Sequence, residues 1–369
     1  MRVAVCHDLL NVRGGAERVV LTLSRAFKAD LFVLLYEPEK TFEEAGKVRV
    51  HALGAPPLPS DRRFYPWVYP LFHSLGMWRF LTLGLEGYEV VITSGKLGVF
   101  ARGRRTLHYC HSPPRFLYDL RPFILRHLQK LHGRHARLLA EGWWRIWRRL
   151  DGWAASRPDL LVANSRTVQE RIRRYYGRSS VVVYPPVEVG KFKVREGGDY
   201  FLAVERPSPE KGIELLLEIF RRVPEERLVW VGDYLDLPYL ERLERRVRRM
   251  KNVTWLRGVG EEELRELYAG CKAVLHTARD EDFGMVPVEA MASGKPVIAV
   301  NEGGVRETVI QGETGMLVEP PFLPNFVRAI KTFDPSLFSP WRCRRRAEEF
   351  SRERFVRRMR ALVRELVGN

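Results

Sequence analysis

The sequence predicts an α/β protein with two open, doubly wound parallel sheets. Three observations lead there. Short apolar runs recur with amphipathic stretches between them, and the whole rhythm occurs twice along the chain. The length of 369 residues also exceeds the roughly 250–300 at which one hydrophobic core stops growing.

In the first half, Val3 to Cys6, Leu31 to Leu35, Val90 to Thr93 and Leu160 to Ala163 read as strands buried on both faces, because their apolar residues run on without alternation. In the second half, Val181 to Tyr184 precedes Tyr200 to Val204, Arg227 to Val231, Val253 to Leu256, Ala273 to His276 and Pro296 to Val300. Helix-period segments separate them, as parallel pairing requires. Tyr184, Pro185, Pro186 and Val187 form a stiff extended stretch, since each proline restricts itself and its predecessor. The expected division is therefore an N-terminal domain over 1–184, a second domain over 185–340, and arginine-rich helices over 341–369 that pack back toward the first. Open α/β sheets bind ligands beyond the carboxyl ends of their strands, so the chemistry is sought in those loops.

Composition narrows the partners. A net charge of +17 implies an anion, which could be nucleic acid, a phosphorylated substrate or an acidic membrane face; a high-temperature origin would enrich arginine without any ligand. Cys6, Cys110, Cys271 and Cys343 have neither metal-ligand spacing nor a disulfide framework, and a reducing cytoplasm is expected. The chain opens directly into a strand and carries no run of 18 apolar residues, which predicts neither secretion nor a membrane span.

Glu281 to Glu289 (EDFGMVPVE) follows one strand and leads into a helix, setting two carboxylates eight positions apart. A carboxylate can accept two hydroxyl hydrogen bonds, which suits a vicinal diol; helix capping is the plainer use. Gly284 admits close backbone approach, and Pro287 suits a first helical turn. After Tyr200 to Val204, the turn Glu205, Arg206, Pro207, Ser208, Pro209, Glu210, Lys211, Gly212 carries an arginine and a lysine able to neutralise a diphosphate. Gly303 and Gly304, after a later strand, either aim amides at ligand oxygens or make a tight turn. Gly14 and Gly15 stand where the first strand turns into a helix, where amides can face an anion. His108 and His111 flank another strand end.

These residues, in this order, resemble the retaining GT-B glycosyltransferases of family 4, the group 1 glycosyl transferases, over nearly the whole chain. The resemblance implies two Rossmann-like domains facing across a cleft. It implies a nucleotide-sugar donor whose diphosphate meets Arg206 and Lys211. Glu281 would read the transferred sugar and Glu289 the ribose, with Phe283, Gly284 and Met285 offering amides nearby. Gly14, Gly15, Gly258 and Val259 complete the expected donor site, and His111 is the histidine expected at the sugar. The implied chemistry is front-face retention, in which the departing diphosphate helps take the acceptor proton. Asp280, Glu281, Asp282 looks like a metal-binding DxD, but in this family arginine and lysine supply the positive charge, so no cofactor or catalytic metal is expected. The neighbourhood of His111 resembles mannosyltransferases, making GDP-mannose the first expectation and UDP-glucose or another UDP-sugar the second.

From Arg121 to Leu150, eight basic residues stand against the single acid Glu141. At helical spacing Trp143, Trp144, Ile146, Trp147 and Leu150 share one face, opposite Arg145, Arg148 and Arg149. This face reads either as an interfacial helix on an anionic bilayer, near a lipid-linked or oligosaccharide acceptor, or as a helix packed on its own core. The aromatics Phe64, Tyr65, Trp67, Tyr69, Phe72 and Trp78 admit the same two readings. The expected location is cytoplasmic and peripheral, at the inner face of the cell membrane. A nucleic-acid binder would also be basic, but no recognition motif is present and none is expected as partner. A GT-B epimerase or phosphorylase is the remaining rival.

Overall fold

The computed structural model describes residues 1–55, 65–208, 211–233 and 237–368. Phe64, Pro209 and Glu210 lie outside the described residues, as do the side chains of Tyr65 and Trp67. The chain divides into two compact units, Met1–Pro186 with the segment from Phe355 onward, and Val187–Arg354.

The first unit carries β1 (Val3–Leu10), α1 (Gly15–Phe27), β2 (Asp30–Tyr36), β3 (Val50–Ala52), α2 (Tyr65–Leu81), β4 (Val90–Ser94), β5 (Thr106–Cys110), α3 (Arg121–Ser156), β6 (Leu160–Ala163), α4 (Arg166–Tyr176) and β7 (Val181–Val182). Its strands lie in the order β3-β2-β1-β4-β5-β6-β7, all parallel. Alternation along β1 sends Val3 and Val5 to one face of the sheet and Ala4 and Cys6 to the other, and each face has its own core.

The second unit carries β8 (Tyr200–Val204), α5 (Ile213–Arg222), β9 (Arg227–Val231), α6 (Leu237–Val247), β10 (Val253–Leu256), α7 (Glu261–Gly270), β11 (Ala273–His276), α8 (Met285–Ala292), β12 (Val297–Val300), α9 (Val305–Thr308), β13 (Gly315–Val318), α10 (Leu323–Lys331) and α11 (Pro340–Glu348). Its parallel sheet runs β10-β9-β8-β11-β12-β13. In each sheet the winding direction reverses once, between β1 and β4 in the first and between β8 and β11 in the second.

The C-terminal arginine-rich segment divides between the units. Helix α11 packs on α8. There Arg344 donates to the carbonyls of Ala292 (2.5 Å) and Phe192 (2.8 Å), and Arg346 to that of Thr308 (3.0 Å), and the Ala292 and Thr308 carbonyls are ones that the ends of α8 and α9 leave open. Helix α12 (Arg352–Gly368) buries Phe355, Met359, Leu362 and Val363 in the core of the first unit. Arg360 donates to Ala26 at the end of α1 (2.8 Å). Arg344, Arg346 and Arg360 therefore serve helix ends.

The tryptophans of α3 belong to the core. Trp144 and Trp147 are each 5% exposed and pack with Phe72, Phe80 and Phe100, and Trp143 is half-buried against the same cluster. His73 meets the rings of Trp143 and Trp147 edge-on at 5.8 and 5.3 Å. This corrects the reading of these rings as a bilayer face, because the same helical spacing presents an apolar stripe to a sheet as readily as to lipid. Ile146 does not follow them and is exposed. Phe72 is core as well, while Trp78 is exposed. Among the described residues no helix is long and apolar enough to cross a membrane, and all four cysteines are buried free thiols.

Because α12 closes one face of the first sheet, Met359→Ala should destabilise that unit by about 2–5 kcal/mol. Urea unfolding followed by domain-resolved hydrogen exchange will show the loss in the first unit, with the second unit's protection unchanged.

Candidate active site

The second unit places its sequence-predicted residues at the reversal between β8 and β11, where an open sheet leaves a crevice at its strand ends. Strand β8 delivers Glu205 and the exposed Arg206, and Lys211 sits one residue before the Gly212 that starts α5. Strand β11 ends at His276, and the loop beyond carries Glu281. Lys211 Nζ makes an ion pair with Glu281 and lies 3.9 Å from Glu205 Oε2, while His276 Nδ1 is paired with the other Glu205 oxygen. The His276 and Glu205 side chains are only 2% and 3% exposed while those of Lys211 and Glu281 are 20% and 18% exposed, so the network is buried at one end and partly open at the other.

Burial alone would push each group toward neutrality, and the opposing charges outweigh it. Burial would lower Lys211, but Glu281 and Glu205 raise it. It would likewise lower His276, but the charge and hydrogen bond of Glu205 raise it. Glu281 would be raised by burial, and the Lys211 and His276 charges hold it below the ordinary carboxylate value. Arg206 adds positive charge at the rim, and among the described residues it forms no ion pair.

Glu289 lies on the second turn of α8 rather than at its start, so it acts through its side chain and not beside open helix amides. Tyr268 of α7, fully buried, donates to its Oε2 at 2.9 Å and fixes one carboxylate oxygen. Phe283 is buried against Phe350, with ring centroids 5.5 Å apart, and anchors the loop between the two glutamates; Gly284 caps α8 and Met285 opens it. Gly303 and Gly304 brace this loop from the end of β12. Gly304 N–H donates to the Glu281 carbonyl at 2.8 Å, and a Cβ there would stand 2.5 Å from Phe283 Cα. The tight-turn reading therefore describes Gly304. Gly258 and Val259 lie past β10, at the sheet's edge, with Gly258 N–H donating to the Asp233 carboxylate at 3.0 Å.

In the first unit the reversal between β1 and β4 gathers a second set. Asp8 accepts from the backbone N–H groups of Lys96 (2.7 Å), Leu97 (2.8 Å) and Gly98 (2.8 Å), tying the β1 end to the turn after β4. Gly14 caps α1, which Gly15 begins, and α1 carries Glu17 in its first turn. Glu17 lies 3.9 Å from His7 Nε2. His7 Nδ1 is 3.2 Å from Ser94 Oγ, which is 2.9 Å from His111 Nε2. Burial would lower the His7 pKa, but Glu17 and Asp8 raise it. Burial and the nearby His7 charge push His111 down to about 3, so it is neutral. With His7 charged, its Nδ1–H donates to Ser94, the Ser94 hydroxyl donates to His111 Nε2, and the His111 proton resides on Nδ1. His108 is buried, bonded to Thr93 Oγ1 at 2.9 Å and lowered by burial to about 4; it belongs to the packing.

Two family models divide most of the chain between them: residues 13–191 match Glycosyltransferase Family 4, and residues 186–333 match Glycosyl transferases group 1. The chain belongs to the family 4 glycosyltransferases. The α-1,3/1,6-mannosyltransferase ALG2 of Mus musculus is 27% identical, spanning 96% of this chain and 94% of its own. A GDP-mannose-dependent α-(1-6)-phosphatidylinositol monomannoside mannosyltransferase of Mycolicibacterium smegmatis is 31% identical over 44% of this chain and 49% of its own. The crystal structure of Anabaena HepE in complex with UDP-glucose covers 99% of this chain and 100% of its own at TM-score 0.75 and 20% identity, which establishes the shared GT-B fold.

Sequence reasoning missed several residues of this glycosyltransferase that geometry brings to the two sites: Glu205, Tyr268 and His276 in one, His7, Asp8, Glu17 and Ser94 in the other. Tyr268 and Glu17 lie in helices and carry no local signal, whereas for those in or just after a strand the signal is a polar residue that interrupts or ends an apolar run. His7 and His276 both carry it.

The raised His7 pKa has a sign that can be checked. Its contribution to stability is complete below the unfolded-state pKa and is lost as pH rises through the folded value. In the Glu17→Gln variant the His7 imidazole should titrate at lower pH than in the parent, read by ¹H–¹⁵N NMR, and the first unit should lose less stability across that window. An unchanged His7 titration would remove Glu17 from the network.

Proposed function

We propose that this glycosyltransferase moves mannose from GDP-mannose, with retention of configuration, to a lipid-linked or oligosaccharide acceptor at the cytoplasmic face of the membrane. The observation that carries the reading is the charged network at the β8–β11 reversal, which holds Lys211 protonated beside Glu281 with Glu289 oriented by Tyr268. A nucleotide sugar has three features to be met. Arg206 and Lys211 neutralise the diphosphate, Glu289 accepts hydrogen bonds from the ribose hydroxyls, and Glu281 accepts them from the sugar. Support for mannose comes from the mannosyltransferases to which the chain is similar.

In the reaction the acceptor hydroxyl attacks the anomeric carbon on the face that the diphosphate leaves. The C1–O bond to phosphate breaks, the new glycosidic bond forms, and the departing phosphate oxygen takes the acceptor proton. Charge accumulates on the leaving group, so Lys211 and Arg206 contribute most by stabilising it there. In the first unit His111, neutral and with its Nδ1–H available, is a donor suited to a sugar hydroxyl, and Gly14 and Gly15 carry amides suited to an anion; in the second unit Phe283, Gly284, Met285, Gly258 and Val259 shape the donor pocket. These cations stand in the place of a metal, and no cofactor is required. UDP-glucose is the second reading, favoured by the structural likeness to HepE in its UDP-glucose complex.

Thermal melting across a panel of nucleotide sugars separates the readings. GDP-mannose at about 100 times its Kd should stabilise the donor unit by about 2.7 kcal/mol, with UDP-glucose giving less; a larger shift with UDP-glucose selects the second reading, and no shift with either overturns both. Glu289→Ala should weaken nucleotide binding by about 10- to 100-fold, the loss of a hydrogen bond to a charged group. Lys211→Ala should lower kcat by about 100-fold or more. Full turnover after exhaustive EDTA treatment is expected, and a loss restored by Mg²⁺ would contradict the metal-independent reading.

A further inference from the structure

Helix α3 is interrupted at Gly133, whose backbone (φ 80°, ψ −177°) is non-helical. The chain doubles back there. Arg137 donates to the Gln129 side chain eight residues earlier at 2.7 Å, a separation that a straight helix would place about 12 Å apart along its axis. The fold-back sets the start of α3 against its second half, and between them lies a cavity of about 340 Å³ lined by Leu117, Arg121, Trp144, Arg145, Arg148 and Arg149.

Four arginines around one hollow repel each other unless an anion is supplied. Among the described residues none of the four forms an ion pair, and Arg148 instead lies over the Tyr118 ring at 5.2 Å. Two buried N–H donors in this lining have no partner in the structure, Arg121 Nε and Trp144 Nε1, the latter on a side chain only 5% exposed. A buried donor left unmatched costs about 1–3 kcal/mol, so these lining residues carry unmet hydrogen-bonding capacity beside the four cations. Arginine forks and an indole N–H suit the oxygens of a phosphate or diphosphate. On the same helix Leu138, Leu139, Ile146 and Trp153 are exposed, although the tryptophans 143, 144 and 147 are not available to a bilayer.

We propose that this pocket receives the phosphate or diphosphate end of a lipid, with the exposed apolar residues of α3 against its hydrocarbon. The assignment deepens the proposed lipid-linked acceptor and rests on that reading. It favours a lipid over a nucleic acid because the cations converge on one concave hollow, where a strand of nucleic acid would need an extended basic track. A soluble diphosphate shares the headgroup chemistry and is distinguished by the test.

The experiment compares the full chain with Arg145→Ala/Arg149→Ala, two exposed positions whose loss leaves the core intact; circular dichroism and melting temperature confirm the fold. Cosedimentation uses phosphatidylcholine vesicles doped with phosphatidic acid, whose headgroup is a phosphomonoester, or with phosphatidylserine at matched charge. The parent should bind the phosphatidic acid vesicles at least about tenfold better than the phosphatidylserine vesicles, pyrophosphate should compete, and the double variant should lose at least about tenfold. Equal binding by parent and variant overturns the proposal, as does equal binding to both vesicle types. Displacement by a single-stranded oligonucleotide but not by pyrophosphate makes the surface a nucleic-acid site and also overturns it. A pyrophosphate binding signal in calorimetry that the variant loses, without vesicle binding by the parent, assigns the pocket to a soluble phosphate and overturns the lipid. Donor binding is read separately by thermal melting, so failure of either assignment leaves the other measurable.

Discussion

Glu205, His276, Lys211 and Glu281 come together at the carboxyl ends of two adjacent strands, the first two nearly out of contact with water and the other two partly open to it. Each charge is held by the others, with Arg206 adding positive charge beside Glu281. Removing one member of such a network leaves its partner buried and unpaired, a loss of about 3–5 kcal/mol where the pair is well formed. The loops after β8 and β11 are therefore bound to one another through their chemistry as well as through the sheet. Trp230 reinforces the arrangement by donating to the Glu205 carbonyl at 2.9 Å. The Gly304 turn fixes the Glu281 backbone from the β12 side. A ligand diphosphate that draws Lys211 away from Glu281 meets a lysine already charged and confined, so little reorganisation remains when negative charge develops.

The first unit solves a related problem with weaker charges. Asp8 holds the β4 turn by three backbone N–H groups, which places Ser94 between two imidazoles. The direction of the hydrogen bonds then follows from which ring is charged. Glu17 and Asp8 raise the His7 pKa, and the neutral His111 presents the opposite edge of its ring. Both units thus put their polar residues at the reversal of strand order, because only there do neighbouring loops diverge enough to leave space above the sheet.

Sequence patterning carries the fold because burial on both faces writes itself as uninterrupted apolar runs. The short edge strands β3 and β13 are harder to read, being brief and partly exposed. Glu281, Arg206 and Lys211 stand out because charged residues in glycine- and proline-marked loops have no packing role to hide behind, and Glu289 is legible through its spacing from Glu281. His276 and Tyr268 are hidden for the opposite reason: one ends an apolar strand, the other sits in a helix, and only the folded chain brings them to the glutamates. Tryptophans 143, 144 and 147 show the limit of periodicity. The helical repeat says that they share a face and leaves the medium on the other side undetermined, and the sheet supplies it. The arginines divide similarly, with Arg344, Arg346 and Arg360 closing helix ends and Arg121, Arg145, Arg148 and Arg149 lining a cavity.

The central claim is that the network at the β8–β11 reversal is a donor site whose lysine changes partner. A crystal structure of the chain soaked with GDP-mannose tests it directly. The account predicts the ribose hydroxyls on Glu289 and Lys211 Nζ moved from the Glu281 carboxylate to an oxygen of the diphosphate, with Glu281 turned to the sugar. A nucleotide bound elsewhere, with the Lys211–Glu281 ion pair intact, would contradict it.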